Sequence, residues 1–274
     1  MSIVNVASLQ KIAEGREAEI FAYEPGKVLR LLRDSDDSGR LEAEAQTMRA
    51  ARDAGLPVPA PYGVINVDGR AGLILDRVDG PDLLTEMGKK PWIVLRGARV
   101  TGELHARLHA VPAPDGTRSL HDVIRRHIGG VPLSGELRAF VLGLLDGLPD
   151  GDAVCHGDFH PGNIIDTPHG PQIIDWPNAT RGHPDADYAR TRLVLRLGDP
   201  PPGTQLLLRY LIGVVRGVFL RRYDTAYRAL RQPDDATLAR WEIVRAADRL
   251  WDGIEVERAK LLSIIDSAYR RSRA

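Results

Sequence analysis

Between residues 153 and 175 short apolar runs alternate with a loop of helix- and strand-breaking residues, and this stretch restricts the fold more than any other. Ala153 to Cys155 read as the end of a buried strand. His156, Asp158 and Asn163 follow on a loop with Gly157, Pro161 and Gly162, residues that no helix or strand interior favours. Ile164 and Ile165 resume a strand, and Ile173-Ile174-Asp175 repeats the device of apolar strand then carboxylate. The spacing predicts a hairpin with Asp166 to Pro171 at its tip, where Pro168 and Gly170 supply the turn. Such a ribbon sets Asn163 and Asp175 side by side, facing Asp158.

Those three oxygen-bearing side chains suit phosphoryl transfer. The reaction asks little covalent chemistry of a protein. It needs a carboxylate to orient the acceptor hydroxyl and a cage of hard oxygen ligands for Mg²⁺ on the nucleotide phosphates. The order His-x-Asp-x-x-x-x-Asn, followed by an Asp after a hairpin, has the spacing of the protein-kinase catalytic loop and metal-binding Asp. The wording His156-Gly-Asp-Phe-His-Pro-Gly-Asn163 with Ile174-Asp-Trp176 is closer to a related branch. It resembles the aminoglycoside phosphotransferase and choline kinase-like family, small-molecule kinases that share the protein-kinase fold.

The resemblance implies an α+β, bilobal protein-kinase-like fold: a small β-rich N-terminal lobe over residues 1–80 and a larger, mainly helical lobe over 81–274. The pattern along the chain agrees. Phe21–Tyr23 and Val28–Leu32 read as strands joined by Glu24-Pro-Gly-Lys27. Gly39 to Ala54 reads as a helix with Leu41, Ala45, Met48 and Ala51 on one stripe, ended by Gly55. Tyr62–Val67 and Gly72–Leu75 form a second hairpin about Asp68-Gly69. Helices are expected over 92–110, 119–128, 134–145, 184–197, 204–222, 234–250 and 251–270, with breaks at Pro200-Pro-Pro-Gly203 and Gln232-Pro233.

By the resemblance Asp158 is the catalytic carboxylate that aligns the acceptor hydroxyl, and Asn163 and Asp175 are the metal ligands. His156 braces the loop, and Asp187 hydrogen-bonds the loop backbone. Val28 and Arg30 share one strand face, so Val28 would roof the base and Arg30 reach the phosphates. Glu44 lies at the edge of the Leu41/Met48 stripe and Glu42 well away from it, so Glu44 is the expected partner of Arg30. The backbone of Asp76, Arg77 and Val78 would meet the adenine or guanine edge. Two features depart from the family pattern: Ala13-Glu-Gly-Arg-Glu-Ala18 has a lone glycine where a Gly-rich loop is expected, and Pro177 follows Trp176.

Charge and cysteine content narrow the rest. Lys plus Arg and Asp plus Glu number 37 each, which removes any global attraction to nucleic acid or an anionic membrane. The single cysteine, Cys155, forms no internal disulfide and reads as a small buried residue. No signal peptide is evident, and the most apolar window, Leu206 to Leu220, is interrupted by Arg209 and Arg216, so a cytoplasmic protein is expected, monomer or homodimer. His105 and His109 have zinc-ligand spacing on a helix, but no third ligand accompanies them in a motif, and packing is the expected use. Asp248, Asp252, Glu255 and Glu257 could line a site for a polycationic antibiotic, although Arg245, Arg249, Arg258 and Lys260 interleave as on a salt-bridged face.

The expected function is transfer of a γ-phosphate from ATP or GTP, with Mg²⁺, to a hydroxyl of a small molecule. Its alternatives are another acceptor (choline, a sugar, homoserine) or a nucleotide-binding regulatory protein without turnover.

Overall fold

The computed structural model describes residues 6, 9–15, 17–33, 36–198 and 205–273. Among them five strands form an antiparallel sheet in the order β1-β2-β3-β5-β4: β1 Lys11–Glu14, β2 Ala18–Ala22, β3 Lys27–Leu32, β4 Pro61–Val67 and β5 Arg70–Asp76. The β4–β5 turn uses Asp68 and Gly69 at φ +53° and +78°, the left-handed pair that matches the twist of a two-residue hairpin. Helix α1, Ser38–Asp53, crosses between β3 and β4; the side chain of Asp37 caps it by accepting from the backbone N–H of Arg40.

Helices dominate the remainder: α2 Leu83–Lys89, α3 Val94–Leu108, α4 Leu120–Gly130, α5 Gly135–Asp146, α6 Pro184–Leu197, α7 Leu206–Leu230, α8 Asp235–Arg249 and α9 Glu255–Arg271. Two small ribbons interrupt them. β6 Ala153–Cys155 pairs with β9 Thr180–Gly182, and β7 Ile164–Thr167 pairs with β8 Gly170–Ile173. The molecule is thus the bilobal, kinase-like α+β fold expected. The β7–β8 hairpin is tighter than its sequence suggests, because the ladder runs on to Thr167↔Gly170 and leaves Pro168-His169 as the tip. Helix α7 is longer than expected, running to Leu230; nothing in Tyr223 to Leu230 breaks a helix, and Pro233 is the next residue that does. The Pro200–Gly203 break lies outside the described residues.

The expected stripe of α1 is wholly buried, and its cluster extends into the second lobe. Leu41, Ala45, Met48 and Ala51 pack in one core with Leu104, Leu108, Val154, Phe159, Ile164, Ile173 and Trp176. The helix that carries Glu44 and the ribbon that carries Asn163 and Asp175 are therefore held by the same apolar contacts. A second core, around Tyr188, Tyr223, Tyr227, Trp241 and Ile265, fills the helical lobe. No helix among the described residues is long and apolar enough to cross a membrane.

Helices α3 and α7 approach closely at Gly102. A Cβ there would meet the Tyr223 carbonyl at 2.6 Å and the Ala226 Cβ at 2.9 Å. One turn further, His105 and His109 bond Tyr223 and Tyr227, each at 2.7 Å. Gly102→Ala should force the helices apart and lower stability by about 1–3 kcal/mol, an overpacking loss that outweighs the better helix propensity of alanine. Thermal unfolding checks this at roughly 2–4 °C per kcal/mol; an unchanged or higher Tm would mean that the packing here is loose.

Candidate active site

Strand β6 is buried throughout and delivers the chain to a loop whose backbone is pinned at several points. His156 is the first pin. Its Nδ1 accepts from the Asp158 N–H at 3.3 Å and its Nε2 meets the Ile174 carbonyl at 3.0 Å, so one imidazole bridges the loop and the residue before Asp175. Burial lowers its pKa, which keeps it neutral and in a bracing role. His160 is the second. Its Nδ1 accepts from the Gly162 N–H at 3.0 Å, which leaves the proton on Nε2, 3.5 Å from Asp158 Oδ2.

Asp187, at the start of α6, fixes the loop from below and is 1 % exposed. Its Oδ2 accepts from the His156 N–H at 2.7 Å and its Oδ1 from the Gly157 N–H at 3.0 Å. Two imidazoles on α3 complete the shell: His105 Nε2 lies at 3.2 Å and His109 Nε2 at 3.3 Å from Oδ2. A carboxylate can only accept, so both Nε2 atoms carry protons, both Nδ1 atoms accept, and the hydroxyls of Tyr223 and Tyr227 donate. Burial opposes ionisation of Asp187, yet these donors hold its carboxyl well below the usual range. His105, His109 and Asp187 bring three ligand atoms within 4.8 Å, the third arriving from 78 residues beyond His109. Every polar atom of the trio already has a hydrogen-bond partner, so packing explains the pair of histidines without an ion.

Asp175 follows β8 with φ +66°, a strained left-handed setting for a residue with a Cβ. Trp176, buried beside it, donates its indole N–H to the Ile173 carbonyl at 3.1 Å and holds the turn. Across the ribbon the Ile174 N–H bonds the Asn163 carbonyl at 3.0 Å, which sets Asn163 next to Asp175. The Asn163 amide donates from Nδ2 to the Asp158 carbonyl at 2.9 Å, so its Oδ1 is left to face the cleft. Asp158 is in large part buried. That opposes ionisation, but His160, Arg190 and His156 outweigh it and lower the carboxyl to about 2. It is an anion at neutral pH.

On the sheet side Arg30 Nη2 meets Glu44 Oε2 at 2.5 Å, while Glu42 turns outward to Arg49. Burial pushes the Glu44 carboxyl up, and the Arg30 guanidinium opposes that shift. At the lobe junction the Asp76 N–H bonds the Ala60 carbonyl and the Arg77 N–H the Gly26 carbonyl, and among the described residues the Val78 N–H has no backbone partner. The Asp76 side chain is taken by the Ala60 N–H and the Tyr62 hydroxyl. In the β1–β2 loop Glu17 is paired to Arg40 of α1 at 2.5 Å; Arg16, within the same loop, lies outside the described residues. Val28, Arg30, Glu44, Asp76, Arg77, Val78, Asp158, Asn163 and Asp175 all line one cleft of about 1150 Å³.

The sequence of this chain matches the profile of a phosphotransferase enzyme family over residues 8–232. The chain belongs to that family. This phosphotransferase is thereby an enzyme of the small-molecule kinase class. No curated protein matches its sequence. Solved structures share its fold at low identity. An amicoumacin kinase, in complex with AMP-PNP, Ca²⁺ and Ami, is 17 % identical with TM-score 0.66, over 97 % of this chain and 89 % of that one. A candidate fructosamine-3-kinase from Haemophilus somnus 129PT is 14 % identical with TM-score 0.63, over 94 % and 90 %. The GDP and kanamycin complex of APH(2'')-IIIa is 16 % identical with TM-score 0.57, over 100 % and 94 %.

Sequence reasoning gave His160 no catalytic role and passed over Arg190. Both touch Asp158 electrostatically. His160 stood within the motif and could have been assigned to the loop; Arg190 had no local signal, since only the fold brings α6 under the loop.

The buried histidines of the phosphotransferase carry a pH signature. Burial is the largest influence on His109 and, with the neighbouring His105, lowers it to about 3, whereas an unfolded histidine titrates near 6.5. The unfolded chain then takes up a proton that the native one refuses. Stability is complete above pH ~6.5 and falls by about 1.4 kcal/mol per unit below it, down to the native value. His156 acts in the same direction. From pH 7 to 5 the Tm should drop by roughly 4–8 °C, and His109→Gln, which keeps a donor for Asp187, should have a shallower slope. Parallel slopes in a thermal melt series would remove His109 as the cause.

Proposed function

We propose that this phosphotransferase moves the γ-phosphoryl group of ATP or GTP to a hydroxyl of a small molecule. One observation carries the reading: Asp158, Asn163 and Asp175 share a cleft with the Arg30–Glu44 pair, although they come from different elements. Asp158, anionic and held by His160, accepts a hydrogen bond from the acceptor hydroxyl and aligns its oxygen for in-line attack. With a carboxyl near 2 it is a poor proton acceptor in the ground state, which suits a loose transition state in which positioning precedes proton loss. Asn163 Oδ1 and the Asp175 carboxylate are hard oxygen donors of the kind Mg²⁺ takes, and they would hold that ion. Bound there, the ion neutralises phosphate charge. Arg30, steadied by Glu44, reaches the phosphates; Val28 covers the base; and the Val78 N–H meets its edge. The nucleotides in the solved relatives, AMP-PNP and GDP, support a nucleotide donor.

A second reading, a nucleotide-binding regulator without turnover, is favoured by the β1–β2 loop. There Glu17, engaged with Arg40, and Glu14 stand where phosphates would need N–H donors. The two readings separate in a pair of variants. Asp158→Ala should lower kcat about 10²–10⁴-fold with nucleotide affinity nearly unchanged. Asp175→Ala should in addition weaken Mg²⁺-dependent nucleotide binding. ADP release against a panel of hydroxyl acceptors, with a nucleotide titration of each variant, gives both numbers. Identical behaviour of the two variants would sink the division of roles, and nucleotide binding without ADP release on any acceptor would favour the regulator.

A further inference from the structure

The part of the cleft beyond Asp158 is walled by α4, α6, α8 and the turn that follows α8. Its carboxylates are already neutralised. Asp248, 2 % exposed, accepts from His127 Nδ1 at 2.7 Å on one oxygen and from Arg190 at 3.4 Å on the other, which is also ion-paired to Arg245 at 3.0 Å. Asp252 sits between Arg190 at 3.0 Å and Arg249 at 3.1 Å. Glu257 takes Nε and Nη2 of Arg249 at 2.5 and 2.9 Å. Glu255 is turned to solvent beside Arg258. A polycationic acceptor would find these acids occupied.

Beside them the wall is lined by arginines. Arg190 and Arg245 are 8 % and 3 % exposed, both line the cleft, and the Nε–H of each has no hydrogen-bond partner. Guanidinium offers five donors and no acceptor, so each of these side chains keeps an N–H that no protein oxygen satisfies, closed off from solvent at the cleft wall. Burial lowers the Arg245 pKa even with Asp248 beside it, a strain that a bound anion relieves. Trp251, stacked on His127 at 4.9 Å and half-exposed, adds a flat apolar surface at the same wall.

We infer that the acceptor of this phosphotransferase is a hydroxylated, ring-bearing compound with an oxyanion, a carboxylate or a phosphate, received by Arg190 and Arg245, with its ring against Trp251. The inference rests on the kinase reading of the cleft and adds the charge class of the acceptor. Arg190 also acts on Asp158 through its charge and lines the same cleft, so an anion seated on Arg190 occupies the cleft that the carboxylate of Asp158 faces.

Four probes that share one ring test it: glucose, glucosamine, glucuronate and glucose 6-phosphate, titrated calorimetrically into the full chain with Mg²⁺ and AMP-PNP. At least one anionic probe should bind about tenfold or more tighter than glucose and glucosamine, and added salt should weaken it. Which anion wins distinguishes carboxylate from phosphate. Arg245→Lys and, separately, Arg190→Lys keep a charge beside Asp248 but remove the Nε–H and the fork. Each should weaken the anionic probe about tenfold and leave AMP-PNP binding in place. Tightest binding of glucosamine, equal affinities, or no binding of any probe by the unmodified protein would each overturn the inference. ADP release from ATP and Mg²⁺ with the same probes judges the kinase reading separately: anion-selective binding without ADP release sinks that reading and leaves the oxyanion preference standing.

Discussion

A single buried charge organises this molecule. Asp187 sits at the first turn of α6 with almost no exposure, and an isolated carboxylate there would be expelled or protonated. It stays ionised because four N–H groups converge on it, two from the catalytic-loop backbone and two from α3. The helix N-terminus adds a favourable dipole. Each donor is in turn constrained: the imidazoles by Tyr223 and Tyr227 on α7, the backbone amides by β6. Four elements far apart in sequence thus agree on one point, and the loop position that follows, Asp158, inherits its placement from that agreement. Removing a member leaves an uncompensated buried charge, which is why such networks are all-or-nothing in effect.

The same logic runs upward through apolar contacts. Helix α1 belongs to the sheet lobe in sequence, yet its buried stripe shares a core with Phe159, Ile164, Ile173 and Trp176. Glu44 projects from this helix towards Arg30, so the distance from Arg30 to Asn163 and Asp175 is set by side-chain packing between lobes. A buried ion pair that loses one partner costs about 3–5 kcal/mol, so replacing either Arg30 or Glu44 alone strands the charge of the other.

The sequence disclosed those parts that are local. Breakers at Gly157, Pro161 and Gly162, the turn pair Asp68-Gly69 and the 3.6-residue stripe of α1 each work within a few residues, and each matches the structure. Strand alternation sufficed to put Val28 and Arg30 on one face, and helical angle sufficed to choose Glu44 over Glu42. Illegible features needed two distant elements. The third partner of His105 and His109 comes from α6, and Arg190 reaches Asp158 only because α6 packs beneath the loop. Interleaved acids and arginines in α8 and α9 fitted either a solvated face or a cation site. The structure shows a third arrangement, with Asp248, Arg245 and Arg249 buried and mutually paired at a cleft wall.

Floor and roof of the cleft differ in how they are held. Beneath, buried networks about Asp187, Asp248 and His156 fix the loop that carries Asp158 and the turn that carries Asp175 before any ligand arrives, which is the condition for electrostatic preorganisation. Above, the β1–β2 loop is tied down by pairs such as Lys11–Glu14, Arg33–Glu14 and Glu17–Arg40, all open to water on at least one side. Exposed pairs of this kind are weak and screened by salt. The roof is therefore the part that phosphates can rearrange at little cost: an incoming polyanion competes for Arg40 and repels Glu14 and Glu17 together. On the proposed reading, in which Arg30 and the oxygen pair below hold the nucleotide, the acids Glu14 and Glu17 at this edge are then no obstacle to its entry.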